Sequence, residues 1–190
     1  MLRNEPINST IFLNLGQLQP LQVLLNRTQP GVRNIETKSD YVQTPISQTG
    51  LDGLVRMLYT SEADQTLIYF VPYDGRMNEI SKSSTPFPHR VGNLYMIAGL
   101  INWQNDGARN ADTYQSLSQR YYDYMTPYVS KYPRKAYLNY RDLEIGANNP
   151  NGKPSYARAS IFWRKYLKNN FDRLIRVKTI INPTNFFKNE

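Results

Sequence analysis

The stretch that most constrains the fold is a predicted strand over residues 93–103, because its apolar side chains alternate onto both faces. One face would carry the apolar side chains of Leu94, Met96, Ala98 and Leu100. The other face would carry Tyr95, Ile97, Gly99, Ile101 and Trp103. A strand with two apolar faces is buried on both sides, so we expect this strand at the centre of a sheet.

The other elements are predicted from hydrophobic periodicity and turn residues. Extended segments are predicted over residues 40–46, 66–73 and 137–145. Helices are predicted over residues 50–60, 106–128 and 156–168, followed by a last helix that is capped by Asn170 and ends before Asn182. Strands and helices mix without a βαβ rhythm, which indicates the α+β class, with an antiparallel sheet flanked by helices.

Composition excludes several kinds of site. The 190 residues include no cysteine and a single histidine, His89, which excludes disulfides, thiolate metal sites and a cysteine nucleophile within them. One histidine does not form a zinc site alone, so we predict no metal site. No apolar run approaches the ~20 residues of a membrane span, and residues 1–20 do not have the pattern of a signal peptide.

The net charge of +8 leaves two interpretations of the basic residues open. They could bind nucleic acid or a membrane surface, or they could form a solvated or interdomain face. The sequence contains no run of five like charges, and the basic side chains of the C-terminal part are dispersed between Arg158 and Lys178. We therefore predict no nucleic-acid partner and no membrane partner.

Three motifs, in a fixed order, carry a family resemblance. They are PFPHR (86–90) with GNLY (92–95), YMTPYVS (124–130) leading into Pro133-Arg134, and AYLNYRDL (136–143). The end of the chain adds NFDRL (170–174). Together these motifs resemble the C-terminal region of plant berberine-bridge-enzyme-like proteins, over roughly residues 20–190.

The resemblance implies a flavin-dependent oxidase. Such enzymes use FAD to take a hydride from a small organic substrate (an alkaloid, a phenolic compound or a carbohydrate) and pass electrons to O2. It also implies that the FAD-binding domain precedes the region seen here, so the isolated chain is expected to need that domain and to be inactive alone.

The same resemblance divides the chain into three parts. We expect a poorly structured segment over residues 1–30, a partial substrate-binding α+β region over residues 31–132, and a C-terminal segment over residues 133–190 that packs on the FAD-binding domain. It further implies the secretory pathway, where sequons at Asn8 and Asn26 would accept glycans.

Candidate site residues follow from the resemblance as well. Tyr140 matches the proposed base of the cannabinoid-forming relatives, and Asn139 matches a position that contacts the flavin. Tyr137, Met96 and Ala98 are predicted to contact substrate. On a regular strand Asn139 and Tyr140 would point to opposite faces. A tyrosine needs activation, usually by a nearby cation, to accept a proton near neutral pH.

Two positions depart from the family pattern. Relatives often carry glutamate, lysine or glutamine at the positions of Met96 and Ala98, whereas both side chains here are apolar and cannot accept a proton. A carboxylate base of the kind used by alkaloid-forming relatives is therefore unsupported. Two hypotheses stay open: an oxidase with a less polar substrate, and a degenerate module that binds a carbohydrate or a partner without catalysis. A purely structural role for Tyr140, as a half-buried sheet tyrosine, is the third interpretation.

Two further features are interpreted from their neighbours. His89 lies between Pro88 and Arg90 in a bend, which favours a structural role over a proton shuttle. An apolar stripe at helical spacing is predicted to pack against the sheet or against the FAD-binding domain; it consists of Trp163, Leu167, Phe171 and Leu174.

Overall fold

A computed structural model describes residues 33–59, 66–73, 75–104, 108–142, 144–146, 155–184 and 186. The predicted N-terminal segment 1–30, with both sequons, lies outside the described residues, as does most of the predicted loop over residues 146–154. Expectations for those segments stay predictions.

The described strands form one antiparallel sheet with the strand order β1-β3-β2. Its strands are β1 (Arg33–Val42), β2 (Thr66–Pro72) and β3 (Tyr95–Gln104). β3 pairs with both neighbours, and Gly99 lies opposite Lys38 of β1 and Ile68 of β2. The predicted central strand and the α+β class are confirmed. β1 begins seven residues before the predicted segment 40–46, because its first half is mostly polar and shows no hydrophobic alternation.

Two helices cover one face of the sheet: α1 (Gln48–Leu58) and α3 (Ala108–Met125). Their core cluster joins Leu54, Tyr121 and Met125 to Ile97 of β3. α3 lies close to the strand at Gly99, where a Cβ atom would stand 2.7 Å from the Tyr121 ring. Glycine at this position therefore sets the distance between helix and sheet.

Both helices were predicted, with small differences at their ends. α1 begins two residues earlier than predicted, because the Ser47 side chain accepts a hydrogen bond from the backbone N–H of Gly50 at 3.2 Å and caps the helix. The inward side of α3 is formed by buried Leu117 and Tyr121 and by Tyr114, which stacks on Trp103 at 5.1 Å.

Two more helices, α4 (Tyr156–Leu167) and α5 (Asn170–Ile181), follow near the end of the chain. The predicted Asn170 cap is wrong, because Asn170 is the first helical residue and its side-chain amide donates elsewhere. Its acceptors are the backbone carbonyls of Lys82, Thr85 and Pro86, at 2.9 to 3.3 Å. Asn170 thus holds a loop that follows α2 (Arg76–Glu79), a short helix that the sequence did not predict.

The apolar stripe of α4 and α5 does not pack against the sheet in the part of the chain that the structure describes. Leu167 and Phe171 are buried in a cluster with Ala136 and Tyr166, and Trp163 lies at its margin. Leu174 is 46% exposed, so the stripe is covered in its first half and open in its second.

Candidate active site

The motif that contains Tyr137, Asn139 and Tyr140 forms a tight turn. The backbone N–H of Tyr140 donates to the carbonyl of Tyr137 at 3.0 Å, which closes the turn. The strand predicted over residues 137–145 is therefore wrong over its described residues. The backbone donors bond instead to side chains: Tyr137 N to Ser39 Oγ at 2.8 Å, and Asp142 N to the Tyr166 hydroxyl at 3.1 Å.

The turn places the two main candidates side by side, and the expectation of opposite strand faces does not apply to them. Asn139 is exposed, and its amide Nδ2 donates to the Tyr137 hydroxyl at 3.0 Å. Tyr140 is half-buried and packs edge-on against the Tyr137 ring, with ring centroids 5.5 Å apart. Tyr137 is thus the shared support for both side chains.

Beneath the turn lies the sheet face that is not covered by α1 and α3. Met96 and Ala98 of β3 lie opposite Tyr41 and Ser39 of β1, so their side chains share this face. Tyr137 and Tyr140 pack against the cluster that contains Met96 and Ala98. The structure therefore brings together four of the predicted site residues, although Met96 and Ala98 are buried as a floor below the aromatic rings.

An aromatic row that the sequence did not reveal completes this face. Rings pack edge-on or tilted along it, from Tyr41 to Tyr73 at 5.4 Å, Tyr73 to Phe87 at 5.9 Å, and Phe87 to Tyr137 at 5.9 Å. Such edge-to-face contacts stabilise each ring in one orientation. Tyr41 lies in the segment 40–46 that the sequence predicts as extended. Its place in the aromatic row depends on its pairing with Met96, which no local pattern reveals.

The buried tyrosines of this row remain protonated near neutral pH. Burial raises the pKa of Tyr41 far above its ordinary value, and burial also raises the pKa of Tyr73. These two hydroxyls are therefore poor proton acceptors. Tyr137 and Tyr140, which continues the row beyond Tyr137, are less buried than Tyr41 and Tyr73.

His89 supports the row from behind. Its ring is 1% exposed and stacks on Tyr41 at 4.1 Å, and its Nε2 lies 2.7 Å from the carbonyl oxygen of Tyr166. Because a carbonyl only accepts, Nε2 carries the proton and donates. Burial, together with the charge of Lys168, lowers the pKa of His89 to about 3. A neutral, enclosed imidazole agrees with the structural role favoured by the sequence.

Several basic side chains near the end of the chain have partners within the protein. Arg164 pairs with Asp172 at 2.8 Å, Arg173 donates to the Ser83 carbonyl at 3.1 Å, and Lys168 donates to the Pro88 carbonyl at 3.2 Å. These contacts favour the interpretation of the basic residues as a solvated or interdomain face. Among the described residues, no three His, Cys, Asp or Glu side chains are grouped to hold a metal ion, and no helix is long and apolar enough to cross a membrane.

Comparison with known proteins identifies the family of this arrangement. Residues 136–190, which include the turn and the last two helices, match the family model described as berberine and berberine like. The chain is 41% identical over 174 residues to tetrahydroberberine oxidase of Argemone mexicana, covering 90% of this chain and 31% of that protein. The chain corresponds to a part of proteins of the berberine bridge enzyme-like family. It spans about a third of the length of the curated relatives that it matches.

Solved structures of berberine bridge enzyme-like proteins share this fold. BBE-like #28 of Arabidopsis thaliana superposes with a TM-score of 0.83 at 39% identity, covering 90% of this chain and 36% of that one. Phl p 4, a grass pollen allergen with glucose dehydrogenase activity, gives a TM-score of 0.83 at 37% identity, covering 94% and 36%. The family is one of FAD-linked oxidoreductases, which makes a flavin the cofactor to test against the described residues.

The chemistry of one described residue, Asn139, fits a contact with a flavin. Asn139, the predicted flavin contact, is exposed at the corner of the turn, and its orientation is fixed by the Tyr137 hydroxyl. A side-chain amide in this position can hydrogen-bond a planar, polar ring system laid over the turn. Tyr140 is the next residue, so a substrate beside such a ring would lie within its reach.

Proposed function

We propose that this chain forms the substrate-side wall of an FAD-dependent oxidase, in which Tyr140 is the catalytic base and Asn139 contacts the flavin. The observation that carries the proposal is the turn of residues 137–140, which presents both side chains next to each other above the apolar floor of Met96 and Ala98. In such an oxidase the flavin supplies the hydride acceptor and passes the electrons to O2.

The residues of the chain would contribute orientation, exclusion of water and a proton acceptor. The aromatic row would pack against the substrate and keep water from the reacting atoms. As the phenolate, the Tyr140 oxygen would take a proton from a hydroxyl of the substrate, as hydride leaves a neighbouring carbon for the flavin. Tyr137 would hold Asn139 through its hydroxyl and Tyr140 through its ring, at the contacts given above.

The site favours a substrate with an apolar face where it meets the aromatic row above Met96 and Ala98. Neither Met96 nor Ala98 offers a charge or a hydrogen bond, and both are almost fully buried. An alkaloid, a phenolic compound or a carbohydrate would therefore bind with an apolar face toward β3 and with its reacting hydroxyl toward Tyr140.

The C-terminal helix would dock on the flavin-binding domain. The open half of α5 carries an exposed apolar stripe at helical spacing, formed by Leu174, Val177 and Ile181, which are 46%, 49% and 77% exposed. A stripe of this kind on a globular protein marks an interaction surface. The proposal therefore divides the chain into a substrate-binding region (31–132) and a docking segment (133–190).

A non-catalytic binding module is the second candidate function. The observation in its favour is that both floor positions, where relatives often carry proton-handling side chains, are apolar. The intact turn with Tyr137, Asn139 and Tyr140 opposes it, because a module without catalysis does not need a tyrosine and a flavin-contacting amide side by side.

Fusion of the chain to the N-terminal part of a berberine bridge enzyme-like relative separates the two functions. An oxidase would yield a yellow protein that consumes O2 with alcohols or phenols, and hydrogen peroxide formation would measure its rate. A binding module would yield a yellow fusion that binds such compounds without turnover.

A further inference from the structure

Lys38 is a buried cation on the face of the sheet opposite the candidate site. It lies in the middle of β1, opposite Gly99, and its residue is only 1% exposed. Its direct neighbour Ser39 lies opposite Ala98 and points to the site face. A buried ammonium group is costly unless it is paired and hydrogen-bonded, so the partners of Lys38 define its role.

Those partners come from the chain directly after the Tyr140 turn. The Lys38 ammonium donates to Asp142 Oδ1 at 2.9 Å and to the carboxylate of Glu144, and Glu36 Oε1 lies 3.6 Å away. The Asp142 side chain is 4% exposed, whereas that of Glu144 is 50% exposed. Asp142 is therefore the buried partner, and its Oδ1 also accepts from the backbone N–H of Glu144 at 2.9 Å.

Two adjacent residues of β1 thus hold the two ends of the segment 137–142, which contains the turn. Ser39 Oγ accepts from the backbone of Tyr137 at the start, and Lys38 binds Asp142 at the end. Because Ser39 and Lys38 point to opposite faces, the segment of residues 137–142 passes around the edge of β1 that β3 does not pair with. Tyr140 lies at the bend, between the two attachments.

We propose that Lys38 is a positioning residue for Tyr140, which fixes the turn of residues 137–140 across the edge of β1 through its ion pair with Asp142. The consequence for catalysis rests on the proposed role of Tyr140, whereas the consequence for the turn does not. If the ion pair is lost, the turn stays attached at Ser39 and at Tyr166. It can then shift, which moves Tyr140 relative to the floor of Met96 and Ala98.

The test begins with hydrogen exchange in the 190-residue chain, which requires no cofactor. Lys38→Met should raise exchange at the amides of Tyr140, Asp142 and Glu144 by roughly tenfold or more, the factor that corresponds to losing one charge-assisted hydrogen bond. Amides at the centre of β3, such as Ile97 and Gly99, should stay protected. Arg76→Met is the matched control, because it removes the cation of the exposed Arg76–Glu79 pair elsewhere.

A double variant keeps the test decisive if Lys38→Met does not fold. Lys38→Met with Asp142→Asn removes both charges of the buried pair together, so the fold should survive while the attachment is lost. If this double variant keeps the turn amides as protected as in the unmodified chain, the proposal is overturned. Faster exchange throughout β3, in step with the turn, would also overturn it, because Lys38 would then support only the general fold.

The catalytic consequence is read in the flavin-domain fusion. The double variant should lower kcat by about tenfold or more with KM changed less than threefold, since a displaced base slows chemistry more than binding. An unchanged kcat would refute positioning of the base. If Tyr140→Phe retains full activity, the proposed function fails, but the exchange experiment still decides whether Lys38 fixes the turn.

Discussion

The enclosed His89 predicts a pH dependence of stability that a single substitution should abolish. His89 is the one histidine of the 190 residues, and it is held neutral between the Tyr41 ring and the Tyr166 carbonyl. Burial lowers its pKa to about 3, against roughly 6.5 for a histidine in an unfolded chain. Between these two values the unfolded chain binds a proton that the folded protein does not.

The sign and size of the effect follow from this difference. A depressed histidine pKa means that stability is fully present above the unfolded pKa and falls as the pH drops below it. From pH 7 to pH 5, the free energy of unfolding should decrease by about 2 kcal/mol through this one group. The size of this decrease at pH 5 depends chiefly on the pKa of His89 in the unfolded chain, because the pKa of about 3 in the folded protein lies well below that pH.

Urea unfolding at pH 7, 6 and 5 measures the effect. The His89→Gln variant is the comparison, because carboxylates titrate equally in both proteins and their contribution cancels in the difference. The unmodified chain should lose about 2 kcal/mol more than the variant between pH 7 and pH 5. Equal losses in the two proteins would refute the reasoning and show that His89 becomes protonated in the folded state.

Three further predictions concern packing, docking and the cofactor. Gly99→Ala should destabilise the chain by about 1–3 kcal/mol in chemical unfolding, because the new methyl group overlaps the Tyr121 ring; unchanged stability would mean that α3 can move away at no cost. Val177→Ser with Ile181→Ser should leave stability within about 0.5 kcal/mol but reduce binding of a hydrophobic dye and weaken association with a relative's flavin domain, whereas the control Arg176→Ser should do neither. The purified 190-residue chain should be colourless and should not consume O2; a flavin absorption band would contradict the assignment of the cofactor to another part of the enzyme.

The sheet and its helical face could be predicted from the sequence because both follow from local periodicity. The apolar alternation of residues 95–103 produces the central strand, and the helical spacing of Leu117 and Tyr121 produces the buried side of α3. Polar β1 could not be predicted in full, since its first half is specified by pairing with β3 and by contacts with segments far away in the chain.

The candidate site shows the limit of local patterns more clearly. Residues 137–142 include two tyrosines, a residue type that favours strands, but the backbone donors of Tyr137 and Asp142 are taken by Ser39 and Tyr166 and a turn results. Lys38 would normally be expected on a polar surface, and its burial is explained by its ion-pair partners, above all the buried Asp142, 104 residues away. The residues of the site were recognisable from the motif, whereas their arrangement depends on these distant partners.

The most direct test of the account is the activity of Tyr140→Phe in a fusion with a relative's flavin domain. The substitution removes one hydroxyl and keeps the ring that packs on Tyr137. Tyr59→Phe, at an 85% exposed position after α1, is the matched control. The account predicts that Tyr140→Phe binds flavin as before and lowers kcat by about 10²- to 10⁴-fold, the usual contribution of a general base, while the control is unaffected. Full activity of Tyr140→Phe would contradict it.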